Sequence, residues 1–417
     1  MSEETDRSDT PGRKAIPDRS DISSRAFPTR AVHAGEGDDP ATGAAAVPIY
    51  QTAPFGFTTA QGLEDAFLRP RGEYIYTRLG NPTVRALETK VSALEGTEDA
   101  VAAASGMAAI STAMFTLLEP GGRLVAYRDV YGGTSGFFQR LLEPWGVEVN
   151  WVEAGAEAGE GERLRAALGN GADVLYLESP TNPTLKICDL AAAARLGHEA
   201  GAVVVVDNTF ASPVLQRPLE LGADLVVHSL TKFLGGHGDT TGGIVAGGAE
   251  KTTAIRSRLV DLGGIMDPLA AFLLMRGIKT VAVRVRQASE NALALARWLE
   301  EHPRVKKVNY PGLESHPGHA VAAAQMSAFG AMLSFELEAD LEATRRVVDT
   351  LQLIRIIPSL GSVETTLLLP AVSSHYKLKK AEREAIGIPD GLIRISVGIE
   401  EVDDVVADLE NGLAVLA

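Results

Sequence analysis

The sequence predicts an α/β protein whose main sheet is mostly parallel and covered by helices on both faces. Short, continuous apolar runs recur at Arg123–Tyr127, Val147–Val152, Asp173–Leu177, Ala202–Val206 and Asp224–Val227. They do not alternate with polar residues, as strands buried on both faces should not. Between them lie Ala-, Leu- and Glu-rich segments of helical length, the rhythm of repeated strand–helix–strand units.

Taken along the chain, residues Met1 to about Ser24 are charged, hydroxylated or Pro and carry hardly an apolar side chain. Such a stretch cannot bury enough surface to offset its ordering entropy, so a disordered tail over residues 1–28 is expected. Residues 29–80 are rich in Gly, Pro and aromatics (Pro48, Tyr50, Phe55, Phe57, Tyr74, Tyr76) without a clear period. An irregular segment this apolar needs a surface to pack on, and an arm laid on another subunit is one answer. From Asn81 the pattern becomes regular. Asn81-Pro82 opens a helix through Leu94, and Gly106–Leu118 is a second apolar helix stopped by Pro120-Gly121-Gly122. A long helical stretch follows Pro268 to Trp298, then a mixed region ending in Val405–Leu416. The expected division is a large domain over residues 81–280 and a smaller α+β one over 281–417.

At 417 residues, two to three domains of roughly 150 residues are accommodated. The net charge of −15 repels phosphate backbones and argues against nucleic acid as a partner. A single cysteine, Cys188, excludes an intrachain disulfide framework and a multi-cysteine metal site, and no metal is expected. The longest wholly apolar runs fall far short of the ~20 residues of a membrane helix, and the start carries no secretory pattern. A cytoplasmic enzyme acting on a small molecule is the expectation.

The chemistry is signalled at strand ends. Val203–Val206 runs into Asp207, and ligands of parallel sheets bind beyond the carboxyl ends of strands. A carboxylate there can pair with a cationic ring nitrogen, or merely cap the next helix. Leu225-Val226-Val227 leads into His228-Ser229-Leu230-Thr231-Lys232, 25 residues downstream of Asp207. A lysine among apolar neighbours can lose its charge and capture an aldehyde. Ser229 and Thr231 can hydrogen-bond a phosphate. Ser105-Gly106-Met107 opens an apolar helix, whose N-terminal amides suit an anion. Phosphate cradle, aldehyde-capturing lysine and ring-nitrogen carboxylate together are what pyridoxal phosphate requires.

The motif His228-Ser-Leu-Thr-Lys-Phe-Leu-Gly-Gly-His-Gly-Asp239 resembles the signature of the trans-sulfuration (Cys/Met metabolism) pyridoxal-phosphate enzymes. The likeness extends from about Thr29 to Leu413 and implies the aspartate-aminotransferase-like fold type I. It implies that Tyr76 and Arg78 reach the cofactor phosphate of a neighbouring subunit, within a tetramer built from dimers with shared sites. It also implies that Ser105, Gly106, Met107, Ser229 and Thr231 hold the phosphate, that Tyr131 stacks on the ring, and that Asp207 pairs with its nitrogen. Lys232 carries the cofactor and moves protons, with Tyr131 as the acid for the leaving group. Asn182, Ser359 and Arg394 bind substrate, the arginine by its bidentate fit to a carboxylate.

Within the family, the short link from Lys232 to Leu273-Leu-Met-Arg-Gly277 disfavours the O-acylhomoserine sulfhydrylases. Gly133 and Val260 stand where the methionine-specific pattern has Cys and Lys, which is expected to leave more room for a leaving group. The pattern favours γ-elimination from cystathionine. Methionine γ-elimination, cystathionine synthesis and sulfhydrylation are the alternatives inside the family. A non-catalytic α/β binding protein is the alternative outside it, and it predicts loss of Lys232 or Asp207.

Overall fold

The structure is a computed structural model that describes residues 22, 24–37, 39, 42–68, 74–155 and 159–416. Most of the expected N-terminal tail lies outside the described residues. The order of the chain nevertheless begins earlier than expected: α1 spans Phe27–His33, with Pro28 in its first turn. It is held by Lys90, whose Nζ is fully buried and donates to the carbonyl of Ala31 at 2.9 Å while pairing with Glu36 at 3.0 Å. The following segment is not wholly irregular either, since α2 forms at Ala60–Leu68.

Seven strands make the main sheet: β1 (Asp99–Ala103), β2 (Arg123–Tyr127), β3 (Glu148–Val152), β4 (Val174–Glu178), β5 (Val203–Asp207), β6 (Leu225–Ser229) and β7 (Gly243–Gly247). Their order is β1-β7-β6-β5-β4-β2-β3, and only β7 runs against the rest. The five runs expected from sequence are all present within a residue or two. β1 and β7 have no such signal, because Asp-Ala-Val-Ala-Ala and Gly-Ile-Val-Ala-Gly are built from small residues that can equally continue a helix or loop.

Both faces of this sheet are covered. Val101, Leu225 and Val227 point into one apolar cluster with Met114 and Leu124, whereas Ala100, Ala102 and Val226 point into another with Leu87, Leu274 and Ile278. Alternate residues of one strand therefore serve opposite cores. Two helices frame the site. In α3 (Pro82–Glu95) the Asn81 side chain accepts the Thr83 amide at 3.0 Å, and in α4 (Gly106–Leu117) Ser105 Oγ accepts the Ala108 amide at 3.1 Å.

A second sheet contains β8 (Val305–Asn309), β9 (Met332–Leu337), β10 (Arg355–Ile356), β11 (Thr366–Leu368) and β12 (Leu392–Ser396), in the order β10-β11-β12-β9-β8. It has its own core of Leu295, Phe335, Val347, Ile395 and Leu409. The expected single helix after Pro268 is two, Pro268–Ile278 and Val281–Glu301, divided at Lys279-Thr280. Arg284 in the second helix is buried, and its guanidinium donates to the carbonyls of Phe233, Leu234 and Gly277 at 2.9–3.2 Å. It thereby clamps the turn that follows Lys232. Gly236, at φ 76°, lies against that guanidinium, and any Cβ there would collide with it. Among the described residues no helix is long and apolar enough to cross a membrane.

Candidate active site

Strands β4, β5 and β6 are parallel neighbours, so their carboxyl ends share one edge. Those ends carry Glu178, Asp207 and Ser229. Asp207 is buried and forms no ion pair among the described residues. Its Oδ1 accepts the amide and the hydroxyl of Thr209 at 3.0 and 2.5 Å, and Oδ2 accepts the Tyr176 hydroxyl at 3.4 Å. Burial pushes the carboxyl above its usual range while the Thr209 donors pull it back. A buried acid of this kind suits a cationic N–H placed against it.

Lys232 follows β6 in a tight turn. Its Nζ donates to Ser359 Oγ at 2.9 Å. Burial, reinforced by the charge of Arg394, brings its pKa down to about 8. Arg394 enters from β12 of the second sheet. Its Nη1 donates to Asn182 Oδ1 at 3.0 Å and its Nη2 to the carbonyl of Ser359 at 2.9 Å. Burial lowers this guanidinium to about 10. Its Nε is buried without a partner, and it has no carboxylate partner among the described residues. A buried cation left without an anion is costly, and a substrate carboxylate would satisfy it.

Ser105, Gly106 and Met107 form the start of α4 beside Ser229: a Cβ on Gly106 would stand 2.9 Å from Ser229 Cβ. The Ser105 hydroxyl already caps Ala108, so the Gly106 and Met107 amides and the Ser229 hydroxyl remain to face an anion. Thr231 is turned instead to the backbone of Gly242, at 3.0 Å from its amide. Donor set and buried acid therefore fit pyridoxal phosphate, with amides and a hydroxyl for its phosphate, Asp207 for its nitrogen and Lys232 for its aldehyde.

Tyr131 opens α5 (Gly132–Phe137), half exposed, its amide donating to Glu178 Oε2 at 2.7 Å. The space expected at Gly133 is filled by the ring of Tyr131, onto which a Cβ at Gly133 would fall. Here the expectation of extra room is corrected: the missing side chain admits the chain's own tyrosine. Tyr76 and Arg78 do not join the group around Lys232. Arg78 instead donates to the Val260 carbonyl at 3.3 Å, with its guanidinium 5.9 Å from the Tyr76 ring. Both are exposed. Sequence reasoning passed over Arg284 and Glu178. Arg284 gives no local signal inside a helical stretch. Glu178 does, as an acid ending an apolar strand, the same argument that marks Asp207.

This fold and site define a pyridoxal-phosphate-dependent enzyme. A family model described as Cys/Met metabolism PLP-dependent enzyme matches residues 28–414, and the chain belongs to that family. It is 44% identical to an L-methionine gamma-lyase of Fusobacterium nucleatum subsp. polymorphum, over 92% of this chain and 97% of the relative. The cystathionine gamma synthase of Xanthomonas oryzae pv. oryzae, solved in complex with cystathionine, superposes with a TM-score of 0.88 at 39% identity. That likeness covers 94% of this chain and 98% of the other. A cystathionine gamma-lyase of Lactobacillus plantarum, complexed with L-serine, gives a TM-score of 0.86 at 38% identity, over 93% and 98%. The chain is a trans-sulfuration enzyme of the γ-lyase or γ-synthase type.

The depressed lysine gives a test of the site's electrostatics. In cofactor-free protein, acylation of Lys232 followed by peptide mapping should rise with a midpoint near pH 8. The exposed Lys306, raised above its ordinary value by Glu336, should lag well behind and serve as the control. Arg394→Gln removes a neighbouring charge and should move the Lys232 midpoint upward. A Lys232 midpoint no lower than that of Lys306 would contradict this electrostatic account.

Proposed function

We propose that the protein is a cystathionine γ-lyase, cleaving cystathionine with water to cysteine, 2-oxobutanoate and ammonia. The observation that carries the amino-acid part of this reading is the chain Lys232–Ser359–Arg394–Asn182, which puts a proton-carrying amine next to an unmatched buried guanidinium. Arg394, oriented by Asn182 and the Ser359 carbonyl, binds the α-carboxylate. Bound pyridoxal phosphate would supply the electron sink for carbanions at the amino-bearing carbon and at its neighbour. Asp207 holds the ring nitrogen in its protonated form, and the α4 amides with Ser229 hold the phosphate. Thr231 joins that cradle by turning from Gly242.

Lys232, drawn down to about 8, has a free-amine fraction of roughly one in ten at pH 7, far more than an ordinary lysine, and is a competent acid once loaded. Released to its free form, it would take the proton from Cα, give that proton up to the bound cofactor, and then, free again, take one from Cβ, with Ser359 Oγ offering a resting hydrogen bond between transfers. Tyr131 gives its phenolic proton to the departing thiolate. Tyr76 and Arg78, exposed on their own subunit, complete the phosphate site of a neighbouring one in a homo-oligomer, a tetramer built from dimers. The compact link after Lys232 disfavours sulfhydrylation, and Gly132-Gly133-Thr134 resembles the cystathionine γ-lyases and γ-synthases. The exposed Arg78 and Glu364 are partners for the distal charges of the substrate.

The direct test is product identification with cystathionine, with methionine, and with O-acylhomoserine plus cysteine. The expected kcat/KM is highest for cystathionine, by a margin no larger than the ~1–3 kcal/mol that one or two contacts provide. Methanethiol from methionine at equal efficiency would move the assignment to methionine γ-lyase, and net cystathionine formation would move it to the synthase.

The shared site has its own test. Arg78→Ala and Lys232→Ala proteins should each be nearly inactive, and activity should return when they are mixed and reassembled, because some hybrids contain one intact site. No recovery after verified subunit exchange would mean that Arg78 serves its own subunit.

A further inference from the structure

The proposed chemistry leaves one buried carboxyl unused. Glu178 is the last residue of β4, and the parallel register sets it directly beside Asp207 on β5. It is 4% exposed. Its Oε2 accepts the Tyr131 amide at 2.7 Å. That amide belongs to the residue at which the chain turns into α5, with φ −46° and ψ 133°, so it has no helical partner.

Tyr131 is 48% exposed, so little packing fixes it. Two features set its place. Gly133 provides the bare backbone on which the ring rests, and Glu178 pins the amide from below.

Two carboxyls side by side in a buried site do not both ionise. Asp207 has two short donors from Thr209, whereas Glu178 has the single amide of Tyr131. Burial, the charge of Asp207 and, more weakly, that of Asp129 all push Glu178 well above the usual carboxylate range. The Tyr131 amide needs only an acceptor oxygen, and the Glu178 carboxyl presents one whether or not it carries the proton.

We propose that Glu178 is a positioning residue, whose carboxyl holds the Tyr131 amide and so sets where the phenol stands over the site. This rests on the reading of Tyr131 as the stacking and proton-donating residue. An amide side chain offers the same carbonyl oxygen, and a methyl group offers none.

The experiment compares holoenzymes carrying Glu178→Gln, Glu178→Ala, Tyr131→Ala and the Glu178→Ala/Tyr131→Ala pair. The readouts are kcat and KM, the visible circular dichroism of the bound cofactor, and cofactor retained after dialysis. Glu178→Gln should keep kcat and the dichroic band near wild type. Glu178→Ala should lower kcat by about 10- to 100-fold, as small misplacements of a catalytic group do, with less effect on KM and a weakened band. The double variant should be no worse than Tyr131→Ala alone, within about 3-fold, because both remove the same function. Should Glu178→Ala fail to fold, Glu178→Met keeps the volume without the acceptor and is read in the same way. The proposal is overturned by a wild-type Glu178→Ala beside a damaged Tyr131→Ala, by losses that multiply in the double variant, or by Glu178→Gln as damaging as Glu178→Ala. A harmless Tyr131→Ala would instead overturn the reading of Tyr131 itself.

Discussion

The rest of the site depends on the tie between Lys232 and Arg394 through Ser359. Lys232 stands at the end of β6 in the large sheet, whereas Arg394 and Ser359 belong to the part of the chain that forms the second sheet. Asn182, from the loop after β4, closes the ring of contacts on Arg394. Burial lowers the lysine and the buried cation adds to that shift, and the cation has no anion of its own among the described residues. One group thus helps to depress the base's proton affinity and leaves a buried charge that a carboxylate would satisfy.

A clamp behind the site gives that tie its rigidity. Arg284 reaches from the helix Val281–Glu301 to the carbonyls of Phe233 and Leu234, immediately after Lys232. Burial lowers this guanidinium to about 10, and its cost is offset by four acceptors, Thr280 Oγ1 included. The two buried arginines thus divide the labour. Arg284 is partnered at every nitrogen and holds backbone, while Arg394 is left without a partner at Nε.

Much of this was legible from residue order. Asp207 and Lys232 announce themselves because each interrupts an apolar strand end with a group whose burial would otherwise be unfavourable. The five long-apolar strands were legible for the same reason. β1 and β7 were not, since Ala and Gly carry too little side chain to mark a strand. Gly133 was misread because a missing side chain shows only that space exists, and the structure gives that space to Tyr131. Tyr76 and Arg78 illustrate another limit: the role proposed for them lies in a neighbouring subunit, and within one chain Arg78 meets the Val260 carbonyl and the Tyr76 ring, away from Lys232.

The central claim is that Lys232 alone among the lysines carries the cofactor. Reduction of the holoenzyme with borohydride, followed by proteolysis and mass mapping, tests it most directly. The account predicts cofactor-derived mass on the peptide containing Lys232 and loss of that label in Lys232→Ala. Label on any other lysine, or label that persists in the variant, would contradict it.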